Sequence, residues 1–546
     1  MESFEKKGVT RRSFLVAGGA VTAAAAASVA LASCGGSSSS SAASSASASS
    51  AASSGADSSA AASSELTGAC AYAGTNVNPI GNSSALMLAA TRHVFEGLYN
   101  LDFHTYKTYP GLADGDPVKV SDTEYEVVIR TGAKFSDGSE VKAGDVVNAF
   151  EKNIADDTYG AFLSFIDSVS AKDDSTVVFR LKYPFEGLLK SRLSVVKIFP
   201  AALAEDDLNT KPIGSGPWMY ESINGDDGGK IVFKPNGNYE GDYKATADTM
   251  IWSVILDDAA RTTALSEGSV AVMENVPYGN ADQLVGAGAT VSYEQGFNQA
   301  FLMFNCQKPP FNNPKVRQAF FYAINSEKLI DNALSGHAAT VSSFLPENHP
   351  NYHKASTVYT YDPSKAKSLL SEAGVSNLSV TMVTNNNWVK DLASSIKNDL
   401  NAVGISTKID EQKIDWPAYA PREDDSVNEE FDVMLTPGDP TCFGNDPDLL
   451  MSWWYGDNVW TQGRSYWAKA DDGEFEKLQA LMQQARESSG SEQQELWNEC
   501  FDLIAENVPL YALFHREFVT GYQESKITGF EPINTTGLVF LGASPA

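Results

Sequence analysis

The chain has 546 residues, 43% of them hydrophobic and 10% aromatic, and its 40 basic and 69 acidic side chains leave a formal charge of −29. A field of that sign repels nucleic acid and anionic lipid headgroups, so neither is expected as a partner surface. The length allows two or three domains, and the aromatic content excludes a chain that is disordered throughout.

At the N-terminus, Arg11 and Arg12 precede an apolar, alanine-rich run from Val16 to Ala32, which ends in Leu31-Ala32-Ser33-Cys34. A basic segment, a short apolar core and small residues before a cut describe an export signal. The run is too short and too alanine-rich for a spanning helix. Its last four residues resemble a bacterial lipobox, in which the cysteine is lipidated and becomes the new N-terminus. The paired arginines resemble a twin-arginine (Tat) signal. These features predict a signal peptide over 1–33, a lipid on Cys34, and a Ser/Ala/Gly tether over 34–65 that buries too little apolar area to fold. The anchored body would sit outside the cytoplasm, held on the order of 30 Å off the membrane. Cys70, Cys306, Cys442 and Cys500 form no zinc motif, and their spacing leaves every disulfide pairing open.

Helix and strand signals then alternate. Tyr125, Val127 and Ile129 share one face of a strand, as do Val177, Phe179 and Leu181; between them Val146, Val147, Phe150 and Ile154 repeat at helical spacing. Gly225 to Lys230 has the wrong spacing for a phosphate loop and reads as a tight acidic turn. Asn313-Pro314 opens a helix with the stripe Val316, Ala319, Phe320, Ala323 and Ile324. Asp362-Pro363 opens another, closed by Gly374. Leu378, Val380 and Met382 alternate as a strand; Val389, Leu392, Ile396 and Val403 mark a helix; Ile405, Thr407 and Ile409 alternate again, completing a β-α-β unit. Two amphipathic helices follow, one carrying Phe475, Leu478, Met482 and Ala485, the other Trp497, Cys500, Phe501 and Ile504.

No nucleophile elbow, zinc-protease helix or nucleotide loop occurs. His349 and His353 are four apart, but Pro350 lies between them in a loop-like stretch, so no metal site is expected there. No cofactor and no catalytic residue is predicted.

Several segments, in order, resemble the solute-binding lipoproteins of ABC importers, in the group that includes oligopeptide-, dipeptide- and nickel-binding proteins. They are Phe95-Glu96-Gly97-Leu98, Phe135-Ser136-Asp137-Gly138 with Lys142 to Val147, and Pro212-Ile213-Gly214-Ser215-Gly216-Pro217-Trp218. Pro310 to Ala319 with Ala323-Ile324-Asn325 and Asp362 to Gly374 continue the series. In physical terms these are scaffold turns, with Gly214 and Gly216 expected to let the chain bend before a strand near Trp218. The resemblance implies an α/β, two-lobed periplasmic-binding-protein fold with a hinge and a ligand cleft at the lobe interface. It implies a first lobe of 66–300 plus 508–546, carrying an inserted subdomain at about 100–190, and a second lobe of 301–507. The implied role is capture of a small ligand, a peptide first of all, and delivery to permease subunits by a monomeric, non-enzymatic receptor. A nickel chelate, haem or an oligosaccharide are the alternative ligands, and a peptidase-like enzyme on this scaffold is the rival from another class.

The resemblance also suggests ligand residues. In peptide binders of the group an aspartate shortly before an Asp-Pro step accepts the peptide's α-amino group, because a buried ammonium needs a carboxylate. Asp439 is the best match and Asp446 the fallback, although Pro437 stands where an aromatic is common. Trp416 and Arg422 fall near a pocket tryptophan and a basic residue of related binders. Asn298 lies in the stretch Phe297 to Phe301, whose backbone is expected to pair with an extended peptide. Trp453, Trp454 and Trp460 are expected in the core rather than the pocket.

Overall fold

The computed structural model describes residues 64–384, 388–411, 426–470 and 473–546. Arg11, Arg12, Cys34, Trp416 and Arg422 lie outside the described residues. Among those described, no helix is long and apolar enough to cross a membrane.

The organising feature is one sheet with eleven strands among the described residues. From one edge its strands run Trp218–Ile223, Lys230–Pro235, Thr249–Val254, Glu65–Cys70 and Val272–Met273. Two long strands follow, Leu510–Tyr522 and Thr290–Phe304, then Val433–Gly438, Ser379–Thr384 and Ser406–Glu411; the eleventh, Ala338–Thr340, lies off this path and pairs with Leu510–Tyr522. The two long strands are antiparallel and belong to both halves. Val272 pairs with Tyr522 at one end, and Gln299 to Phe304 pair with Gly438 to Val433 at the other. Their mutual register breaks between Gln295 and Gln299 and again between Ala300 and Phe301. At the first break side chains replace ladder bonds: His515 Nδ1 lies 2.9 Å from the Phe297 carbonyl, and Asn534 and Asn348 donate to the Gln295 carbonyl. A bulge bends and twists a strand where the pairing stops, and here it marks the passage from one half to the other.

The amphipathic patterns form as expected. Ser379–Thr384 and Ser406–Glu411 are parallel and joined through the helix Lys390–Ala402, which buries Leu392 and Ile396. A separate four-stranded sheet spans Val118–Ser121, Glu124–Val128, Thr176–Leu181 and Ile166–Ala171. Tyr125 faces Phe179 across it, and the helix Ala143–Ile154 covers it with Phe150 4.9 Å from the Phe179 ring. Gly225 to Lys230 connects two antiparallel strands as a hairpin loop. Asn313 and Asp362 cap their helices by accepting from the Lys315 and Lys365 amides, each with Pro at the first helical position.

Gly214 requires a different reason from the bend expected of it. A Cβ there would stand 2.0 Å from the Val94 carbonyl oxygen, so glycine is needed because two backbones touch. That contact docks the turn onto the helix Ala85–Val94.

Candidate functional site

The strand Val433–Gly438 ends on Asp439, which caps the short turn Pro440–Cys442. Asp439 Oδ1 accepts from the Thr441 amide at 3.1 Å and the Thr441 hydroxyl at 2.5 Å, and Oδ2 accepts from the Thr535 hydroxyl at 3.0 Å. No cation lies within ion-pair distance of it among the described residues. Burial raises its pKa, and the Thr441 and Thr535 bonds with the field of Arg92 only partly offset that. It is a carboxylate held by neutral donors with lone pairs to spare.

Asp439 opens onto a cavity of about 310 Å³ that also receives Tyr72, Asn298, Trp388, Trp454 and Trp460. One wall comes from residues before the long strands (Tyr72, Leu88, Asp157), the other from residues between them, so the cavity lies where the halves of the sheet meet. The three tryptophans expected in the core do pack on one another, Trp454 and Trp460 with centroids 4.4 Å apart, yet Trp453, Trp454 and Trp460 all line the cavity. Gly438 admits them: a Cβ there would meet the Trp454 ring at 2.5 Å. Trp388 is held flat by the Arg516 guanidinium, 4.4 Å from its ring centre.

Two buried polar atoms of this wall lack partners among the described residues, Asn298 Oδ1 and Trp454 Nε1. Each carries its desolvation cost in the empty protein, so a ligand that turns these side chains toward the cavity gains most by meeting them. Asn298 thus reaches the cavity through its side chain's place on the long strand. The backbone expectation for this stretch is corrected in part. From Gln299 onward the strand is paired on both sides, to Gly438 through Val433 and to His515 through Leu510, so no ligand strand can be added there.

Asp446 is seven residues on and differently employed. It caps the helix Pro447–Tyr455 through the Leu449 amide and meets Arg192 at 3.0 Å. Arg192 also pairs with Asp448 at 2.5 Å, and Arg486 reaches Asp448 at 2.8 Å. The positive partner is already supplied by the protein. His349 Nε2 lies 2.7 Å from the Asn445 carbonyl, while His353 stands 3.8 Å from Asp502. Among the described residues no cluster of His, Cys, Asp and Glu suits a metal ion. Cys70, Cys442 and Cys500 are separate thiols among the described residues, and burial with the Asp439 charge pushes Cys442 up to about 12, which keeps it protonated and a poor nucleophile.

Tyr72 and Trp388 were not singled out by their sequence context, and Trp454 was singled out only as a core residue. Trp388 had a usable signal: it follows the first strand of the β-α-β unit, and the carboxyl ends of parallel strands are where open α/β sheets hold ligands.

Similarity to known proteins agrees with this geometry. Residues 107–462 match the model for bacterial extracellular solute-binding proteins, family 5. The chain is 25% identical over 479 residues to the glutathione-binding protein GsiB of Salmonella choleraesuis, covering 85% of this chain and 91% of that protein. The periplasmic binding protein DppA of Helicobacter pylori, solved with the peptide STSA, superposes with a TM-score of 0.75 at 24% identity, over 88% of this chain and 98% of that one. NikA of Staphylococcus aureus, solved with Ni(L-His)2, superposes with a TM-score of 0.74 at 17% identity, over 88% and 100%. A two-lobed fold with a central cleft, matched along most of its length to this family, identifies the chain as a member of the bacterial extracellular solute-binding proteins, family 5.

Proposed function

We propose that this solute-binding protein captures peptides in the cavity at Asp439 and delivers them to the permease of an ABC importer, tethered to the membrane by a lipid on Cys34 after export through the twin-arginine route. The observation that carries the ligand class is a cavity-facing carboxylate with no ion-pair partner among the described residues, set among aromatic walls whose side chains also hold an unmet acceptor and donor. A peptide brings an ammonium, amide donors and apolar side chains, which answer all three features. In this reading the lobes are 66–300 with 508–546 and 301–507, the long strands are the hinge, and the four-stranded sheet is the inserted subdomain. The receptor is a monomer in this reading, and export signal, tether and anchor hold it outside the cytoplasmic membrane.

Calorimetric titration with a tripeptide and its N-acetylated form tests the pairing. Asp439→Asn should weaken the free peptide by about 3–5 kcal/mol, because an ammonium is left buried without its countercharge. The acetylated peptide should bind wild type poorly and lose little more in the variant. Equal losses for both peptides would make Asp439 structural and remove the peptide assignment. For the anchor, Cys34→Ser should release the protein from the membrane fraction; a variant that stays there with lipid attached refutes it.

A further inference from the structure

A second, smaller cavity of about 80 Å³ lies beside the first and shares Leu88, Cys442 and Phe443 with it. That volume holds several water-sized groups, enough for a short side chain. Two cations face it, Arg92 and Lys197. Neither has an ion-pair partner among the described residues. The Arg92 guanidinium stacks 3.6 Å over Phe103 and makes only long bonds, 3.4 Å to the Thr536 carbonyl and 3.5 Å to the Cys442 carbonyl. Lys197 has one, 3.3 Å to the Ser194 carbonyl. The nearby acids are committed: Glu96 to Arg130 at 3.0 Å, and Asp102, which lines the cavity itself, to Thr105 and His104 at 2.7 and 3.2 Å; the fields of Asp439 and Glu274 reach Arg92 without an ion pair. Burial and the neighbouring Arg92 pull Lys197 down to about 8, against the weaker pull of Glu96. In a chain of net charge −29, two half-buried cations on one cavity, neither ion-paired to a carboxylate among the described residues, are a costly arrangement unless something anionic visits.

We propose that this side pocket is an anionic subsite in which Arg92 and Lys197 hold a carboxylate of the ligand, so that the receptor favours peptides carrying an acidic side chain. The proposal rests on the reading of the Asp439 cavity as the peptide site, since the two cavities adjoin through Leu88, Cys442 and Phe443. Tyr109, Tyr159 and Tyr243 complete its wall, giving ring faces for the short aliphatic stem that carries the acid, while the Tyr159 hydroxyl donates to the Asn82 carbonyl. A guanidinium and an ammonium converging on one carboxylate give charge-assisted bonds that an uncharged amide of equal shape does not receive.

The probe for the pocket itself is glutarate, which needs no Asp439. At constant ionic strength, glutarate should raise the melting temperature saturably in wild type and in Asp439→Asn. The response should vanish in Lys197→Met and survive in Lys197→Arg, which keeps the charge. No saturable rise in wild type, or an equal rise in Lys197→Met, overturns the subsite. The probe for its use by the ligand is the pair Ala-Glu-Ala and Ala-Gln-Ala, with the same exchange at the first and third positions. At one position the acid should bind at least tenfold tighter than the amide in wild type and about equally in Lys197→Met. Glutarate binding without any Glu over Gln preference overturns the selectivity. Glutarate binding with no tripeptide bound at all leaves the anionic subsite standing and defeats the peptide reading instead.

Discussion

Asp439 and Asp446 are separated by six residues, and each caps the short helical segment that follows it. They differ in what the rest of the molecule brings to them. Asp446 joins a network of two arginines and two aspartates in which Arg192 is 1% exposed and Asp448 3%. Arg192 precedes the long strands and its partners lie between them, so the network ties one half of the sheet to the other. Asp439 receives only hydroxyls and an amide, and faces the cavity. The difference teaches that a paired carboxylate can hold two halves of a cleft together, whereas an unpaired one can recruit a cation from outside.

The strongest way to break this comparison is to take away the arginine. Arg192→Leu leaves Asp448 with Arg486 alone and Asp446 with no cation in ion-pair distance among the described residues, and should cost about 3–5 kcal/mol in denaturant unfolding. Burial already raises the Asp446 pKa despite Arg192, with Asp448 adding to it. Without Arg192 the rise is larger, and a raised carboxylate gives back stability as pH falls through its folded value. The deficit should therefore shrink in acid. A variant as stable as wild type at neutral pH would show that the network carries no weight.

Next in size is the cavity donor. Trp454→Phe should cost the empty protein about 1–2 kcal/mol, because a buried ring packed on Trp460 and Phe301 is made smaller, and should weaken peptide binding by about 1 kcal/mol for the lost Nε1 donor. Unchanged peptide affinity would mean that Trp454 acts through packing alone.

The smallest effect sharpens the contrast most. Asp439→Asn should leave the ligand-free protein equally stable or slightly more stable at neutral pH, since burial raises the Asp439 pKa and its ionised form is the disfavoured one. The sign follows from linkage: wild type regains stability as pH falls through the raised folded value, so the two proteins should converge in acid. A clear loss at neutral pH would make Asp439 a structural cap and return it to the class of Asp446.

Most of the architecture was legible along the chain. Apolar spacing of 3.6 and 2 residues reports which face is buried, and capping residues report where helices start, because both are local consequences of backbone geometry. The helices opened by Asn313 and Asp362 and the β-α-β unit around Leu392 were readable on those grounds. The two long strands were not, since the wholly buried stretch Phe297 to Phe304 carries no alternation that distinguishes it from a short core segment. At the site, the residue type of Asp439 could be picked out, but its spare bonding capacity could not. Whether an aspartate meets Arg192 from 254 residues away or only Thr535 from 96 away is settled by tertiary contacts. The same holds for Arg92 and Lys197, whose lack of an ion-pair partner among the described residues is a property of the space around them. The sequence by itself determined the periodic elements, their caps and the acidic balance of the chain; only the folded structure decided which charges were left unmatched, because a counter-ion is defined by distance in space.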